Sequence, residues 1–210
     1  VYLDAQGQPI APIYNYLKRF PNDLNKAFYE KYGPCEKFCK AVSSPNMGLL
    51  NIGLQYFWLK NQKPNIFKNV KYALHLAQYL SSIFTKKYQM DFTSLGCHTS
   101  LWDFEAQAYH PWLADQHIDF ANLPIIKSSE TTTINNVIYG PGMYDDTAAV
   151  IPYWNTQTQP FILISTGTWN VSFNPFNTQK LSDIDLKNEC LDLLSANGKP
   201  IRAAKLFAGN

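Results

Sequence analysis

Residues 140–150 read GPGMYDDTAAV, and residues 161–173 read FILISTGTWNVSF. In the first stretch, a strand-like segment (TTTINNVIYG, 131–140) meets a glycine-rich turn. Two acids follow, then small residues that open a helix. Glycine allows positive φ and close backbone approach to a ligand. An acid at a helix entrance can cap the free N–H groups. It can instead point outward as a general base. The spacing of Asp145 and Asp146 leaves both uses open, capping being the commoner. In the second stretch an apolar strand meets Ser165-Thr166-Gly167-Thr168 and returns as a strand. Hydroxyls and backbone N–H groups at such a turn can hold an anion, but taken alone the stretch fits an ordinary hairpin turn better. It is not a P-loop, which needs G-x-x-x-x-G-K-[ST] before a helix.

Upstream, residues 95–104 read LGCHTSLWDF. Cys97, His98 and Asp103 invite a metal or Cys–His reading. Their spacing fits no zinc pattern, and His110 and His117 add no i, i+4 pair. No third group is in place to orient a Cys–His pair. His98 and Trp102 suit a sugar pocket, where an aromatic face meets the ring and a polar edge meets hydroxyls. Core packing suits them as well.

The rest of the pattern is mainly helical before about residue 130 and mainly β in the last 60 or so. PNDLNKAFYEKYG predicts a helix from Asn22 or Asp23, stopped at Gly33. GLLNIGLQYFWLKNQKP puts Leu50, Leu54, Phe57 and Trp58 on one helical face. NIFKNVKYALHLAQYLSSIF predicts a helix burying Leu76, Leu80 and Ile83. FEAQAYHPWLADQ predicts a helix interrupted at Pro111, and TAAVIPYW one that ends near Pro152. Asn197-Gly198 between two apolar runs is a hairpin signal.

The 210 residues are 46% apolar and 15% aromatic, so disorder is excluded. Net charge is +2, with twelve basic and four acidic residues in 1–90 and six basic and twelve acidic residues in 91–210. The basic residues are scattered singly or in pairs, which argues against a nucleic-acid partner. Four cysteines without a C-x-x-C pair read as reduced thiols of a cytoplasmic protein. No apolar run is long enough for a bilayer, and residues 1–12 lack the features of a signal peptide. Both ends read as cut, as expected for a piece of a longer protein.

Four segments, taken in order, resemble the FGGY carbohydrate kinases, with most similarity to the fuculokinase and rhamnulokinase branch. LDAQGQPIAPIYNY (3–16) resembles the family's D-x-x-G-x-P-l-x-P strand. SPNMGLLNIGLQYFWLKNQKP (44–64) resembles its W-L-k-x-x-x-P helix. YDDTAA (144–149) resembles H-D-S/T-x-x-A, and ISTGTW (164–169) resembles S-S/T-G-T-W. The resemblance implies an α/β, actin/hexokinase-like architecture of ribonuclease-H-like domains. It places an incomplete sugar-binding domain at 1–158 and the start of a nucleotide-binding domain at 159–210. It implies Asp145 as catalytic base. Tyr144, which stands where the family has His, would contact the sugar together with His98 and Trp102. Gly167 and Thr168 would contact nucleotide phosphates.

The implied reaction moves the γ-phosphoryl group of ATP, with Mg2+, to a hydroxyl of a ketose such as L-fuculose, L-rhamnulose or xylulose. No metal is expected on the protein's own side chains. The expected partners are a sugar and a nucleotide, with no nucleic acid and no membrane, and a homodimer is left open. The family's D-x-G-T phosphate hairpin and its glycine-rich adenosine segment have no counterpart here, so the isolated chain is expected to be inactive. A second reading is a non-catalytic sugar-binding module derived from the same fold. A third, an interaction domain, needs Tyr56-Phe57-Trp58 to be exposed.

Overall fold

The computed structural model describes residues 1–167 and 169–207. Helices dominate the first 85 residues, short strands and single helical turns follow, and the chain closes with a helix and an antiparallel sheet. The first helix is Asn22–Tyr32, and Gly33 stops it at φ 103°, a conformation that side-chain-bearing residues avoid. Its buried Phe28 organises the aromatic residues. The rings of Tyr29, Tyr32, Phe38, Phe57 and Trp112 lie 5.0–5.3 Å from it, four of the five edge-on. Edge-on contact sets the positive rim of one ring against the negative face of another.

The helix Ile52–Gln62 has no apolar stripe, because every residue from Gly53 to Leu59 is buried. Gly53 permits this depth. Its N–H donates to the Thr99 carbonyl at 2.8 Å, and an added Cβ would meet Trp112 at 2.9 Å. Burial of Tyr56, Phe57 and Trp58 removes the interaction-domain reading, which needed them exposed.

The helix Leu76–Thr85 inverts its predicted polarity. Leu76, Leu80 and Ile83 are exposed, whereas Gln78 and Ser82 are buried. The cause is a buried polar cluster: the Gln78 amide donates to Asp91 Oδ1 and Ser94 Oγ, both at 2.7 Å. The predicted helix through Pro111 is also replaced. Trp102–Asp103 pairs antiparallel with Ala108–Tyr109, and only Trp112–Asp115 is helical. Asp103 Oδ1 accepts from the N–H groups of Glu105 and Ala106, which folds the chain back. Residues 131–140 form a hairpin, Thr132–Ile134 with Val137–Tyr139, rather than one strand. Asn135 and Asn136 both take positive φ at its tip, as a two-residue turn of this kind requires.

The helix Asp145–Thr156 continues through Pro152 for one further turn, at the loss of one backbone donor. The sheet that follows has the spatial order Cys190–Leu194, Pro200–Phe207, Trp169–Asn174, Leu163–Ser165, with every neighbour antiparallel. Asn197-Gly198 lies in a hairpin connection, with Gly198 at φ 76°. Val171, Phe173, Leu191, Leu193 and Ile201 form the core of this sheet, and Val150 and Cys97 close it. Packing therefore crosses the expected 158/159 boundary. All four cysteines are free. Among the described residues no helix is long and apolar enough to cross a membrane.

Candidate active site

The turn before the helix Asp145–Thr156 is pinned to the body of the molecule. Gly142 sits at φ 77°, and its carbonyl accepts from the Gln78 amide at 3.0 Å. An added Cβ there would meet the Ala77 carbonyl oxygen at 2.4 Å. The Tyr144 N–H donates to Thr93 Oγ1 at 2.9 Å, and that hydroxyl donates to Asp91 Oδ2 at 2.6 Å. Asp91 also caps the short helix Phe92–Leu95 through the N–H groups of Thr93 and Ser94. Asp91, Thr93 and Gln78 thus set where residues 144–146 stand. The sequence reading passed over them. The one local signal was Asp91, two and three residues ahead of Thr93 and Ser94 at a helix entrance.

The paired acids have different roles. Asp146 Oδ2 accepts from the Tyr144 hydroxyl at 2.7 Å and has Lys205 Nζ at 4.0 Å. Lys205 Nζ donates to the same hydroxyl at 2.9 Å. Burial lowers the Lys205 pKa, and the neighbouring acids oppose that shift. Asp145 is exposed, and its one hydrogen bond among the described residues is accepted from the Asp146 N–H at 3.0 Å. Tyr144, not Asp145, is the cap residue of the helix. Asp145 is the uncommitted carboxylate.

Asp145 lines a cavity of about 500 Å³. Leu49, Leu50, Leu74, Leu76, Leu80 and Met143 form its apolar wall. Tyr144, His98 and His75 also line it. His98 has positive φ and meets the Tyr144 ring edge-on at 5.9 Å. Burial holds His98 well below its ordinary pKa, with Lys205 adding to the effect. Burial also lowers His75, to about 4, so both rings are neutral at pH 7. Among the described residues neither His75 Nε2 nor His98 Nδ1 has a hydrogen-bond partner. The sequence reading missed His75, a single histidine in an apolar helical stretch.

The other expected site residues fall elsewhere. Trp102 is buried in the helical core, against Phe92 and Tyr109, and is not part of the cavity lining. Gly167 is an exposed turn residue between two strands, where an added Cβ would meet only the Trp169 carbonyl, at 3.8 Å. Thr168 lies outside the described residues. Among the described residues no group of three or more His, Cys, Asp or Glu could hold a metal ion.

No protein-family model matches the chain, and no curated protein matches it. Solved structures do match. A carbohydrate kinase from Novosphingobium aromaticivorans superposes with TM-score 0.75 at 24% identity, over 93% of this chain and 44% of that one. A gluconate kinase from Lactobacillus acidophilus gives 0.80 at 13% identity, over 99% and 44%. A Plasmodium falciparum glycerol kinase with ADP gives 0.76 at 14% identity, over 100% and 44%. The chain has the actin/hexokinase-like fold of the carbohydrate kinases. It spans about half the length of these solved structures. This fold agrees with the expected α/β class.

Proposed function

We propose that the chain is part of an FGGY-type sugar kinase that phosphorylates a hydroxyl of a ketose, with Asp145 as general base. L-Fuculose, L-rhamnulose and xylulose are the candidate acceptors. The observation that carries this reading is the division of labour between the acids. Asp146 is bound to Tyr144 and faces Lys205, while Asp145 lines the cavity and makes no close ion pair among the described residues.

Phosphoryl transfer needs positioning and charge neutralisation more than covalent help. Asp145 would accept the proton of the attacking hydroxyl. His98 and His75 would bind sugar hydroxyls, and Tyr144 would shape the wall, since its own hydroxyl is committed. Gly167, with Thr168, would offer turn N–H groups and a hydroxyl to nucleotide phosphates. The nucleotide supplies the transferred group, and Mg2+ on its phosphates neutralises their charge. Mg2+ would be held largely through the phosphates and water, as its hydration preference dictates. The partners are then a sugar and a nucleotide, in the cytoplasm. The two-domain division at 158/159 belongs to the same proposal.

Asp145→Asn tests the assignment. In the full-length protein with ATP, Mg2+ and a ketose panel, turnover should fall about 10²–10⁴-fold, the usual loss for a general base. Sugar binding should persist. A variant that keeps a tenth of wild-type kcat would remove Asp145 from the role.

A further inference from the structure

Cys35 and Cys39 have no part in the site around Asp145 and do not line its cavity. They stand four residues apart on the helix Cys35–Ala41, a spacing that stacks two side chains on one face. Their sulfurs lie 3.7 Å apart. Cys39 is buried and Cys35 half-buried. Cys35 also lines a surface cleft, with Asn25, Tyr29, Gly33, Pro34 and Asn46, so the pair is reached from solvent. The Tyr29 hydroxyl, on the preceding helix Asn22–Tyr32, neighbours both thiols. The two charged residues of the cleft, Lys26 and Glu30, pair with each other at 3.6 Å and leave it without net charge.

We propose that Cys35 and Cys39 form an exchangeable two-sulfur site for a thiophilic d10 cation of the Zn2+, Cd2+ or Cu+ class. Thiolate is the ligand that such soft ions select. Two metal–sulfur bonds of about 2.3 Å to atoms 3.7 Å apart would meet at about 107°, near the tetrahedral angle. The same pair serves a disulfide badly. That bond needs Cβ atoms about 3.5–4.5 Å apart, whereas helical positions four apart hold theirs at about 5–6 Å. A bridging ion spans a gap that a sulfur–sulfur bond of about 2 Å would close only by unwinding the helix. Binding forms two metal–sulfur bonds and breaks two S–H bonds. The protons leave to solvent, and no electron is transferred. Burial, with Cys35 adding to it, pushes the Cys39 thiol up to about 12, so the ion must displace that proton. Among the described residues no third His, Cys, Asp or Glu joins the pair in a metal cage. Structural zinc sites are closed by four protein ligands. Here solvent completes the coordination, and the ion exchanges.

The test uses the reduced full-length protein with Cd2+ as the probe. Thiolate-to-cadmium absorption in the ultraviolet reports sulfur ligation, and tryptic peptides report which thiols are covered. Stoichiometric Cd2+ should slow alkylation of Cys35 by iodoacetamide about tenfold or more, since alkylation needs the free thiolate. Cys190, the other half-buried cysteine, should react at its unchanged rate. Cys35→Ser should weaken Cd2+ binding about a hundredfold, because losing even an outer partner of a metal ligand costs about 10–100-fold. Cys190→Ser should bind like wild type. Mg2+, which takes oxygen ligands, should not compete. A Cys35 alkylation rate untouched by Cd2+ would overturn the inference, and this measurement needs no variant to fold. So would equal Cd2+ affinity in wild type and in a Cys35→Ser variant that melts normally, or displacement of Cd2+ by Mg2+. An intramolecular Cys35–Cys39 disulfide formed on mild treatment with diamide would also overturn it, because the helix would then close the pair without an ion.

Discussion

Lys205 and Tyr144 lie 61 residues apart and meet through a 2.9 Å hydrogen bond from the ammonium to the phenol oxygen. Lys205 is on the strand Pro200–Phe207, and Tyr144 is the cap residue of the helix Asp145–Thr156. The bond ties the terminal sheet to the entrance of the helix that carries Asp145. Thr93 braces the same residue from the other side, through its backbone N–H. Tyr144 thereby orients Asp145 from two directions.

Lys205→Met should therefore destabilise the protein by about 1–3 kcal/mol, since it leaves buried acceptors without a donor. Urea unfolding measures this. Asp146→Asn touches the same network, so the double variant should lose less than the sum of the single losses, with a coupling of about 0.5 kcal/mol or more. Strict additivity would mean that the three groups do not act together.

Gly142 is under two constraints at once. Its φ of 77° disfavours any side chain, and a Cβ would meet the Ala77 carbonyl oxygen at 2.4 Å. That neighbour is backbone and cannot rotate away. Gly142→Ala should cost about 1–3 kcal/mol. It should also shift the turn that sets Tyr144 and Asp145, so kcat/KM should fall more than in Gly140→Ala, where an added Cβ meets nothing within 4 Å. Paired thermal melts and steady-state kinetics decide it.

The inverted helix Leu76–Thr85 makes a prediction of unusual sign. Gln78→Leu raises hydrophobicity at a buried position and should still destabilise by about 1–3 kcal/mol, because Asp91, Ser94 and the Gly142 carbonyl lose their donor. Ile83→Gln lowers hydrophobicity at an exposed position and should stay within about 0.5 kcal/mol of wild type. Chemical denaturation of the two variants checks both signs.

That helix also shows where sequence reading stops. Helical spacing reveals a helix and its apolar face, but the face turns inward only if no stronger partner competes. Here Asp91, thirteen residues beyond Gln78, claims the polar side. Chain-local signals transferred well. The Gly33 stop and the Asn197-Gly198 hairpin follow from backbone preferences of one or two residues. Of the candidate site, Asp145, Tyr144 and His98 came from neighbouring residues or from motif resemblance, and they line one cavity. Trp102 went to the core because its partners Phe92 and Tyr109 are tertiary. His75 and Lys205 carry no motif. Their meaning arises only when remote segments close around them.

The neutral histidines make stability depend on acid. Burial is the main cause at His75. The Val1 amino group adds to it and Asp91 opposes it, for a folded value of about 4 against 6.5 when unfolded. His98 is shifted the same way by burial and Lys205, and His110 also by burial. The unfolded chain then binds more protons than the folded one as pH falls from 6.5 towards 4, so stability rises with pH across that window. Above 6.5 the rings are neutral in both states and the effect vanishes. Each unit of displacement corresponds to about 1.4 kcal/mol, so His75 alone should remove about 2 kcal/mol between pH 7 and pH 5. Urea midpoints at pH 7, 6 and 5 measure the slope. In His75→Leu the slope should flatten while that of an Asp119→Asn control, on an exposed residue, should not. An unchanged slope in His75→Leu would mean that this ring is already free to take up a proton in the folded protein.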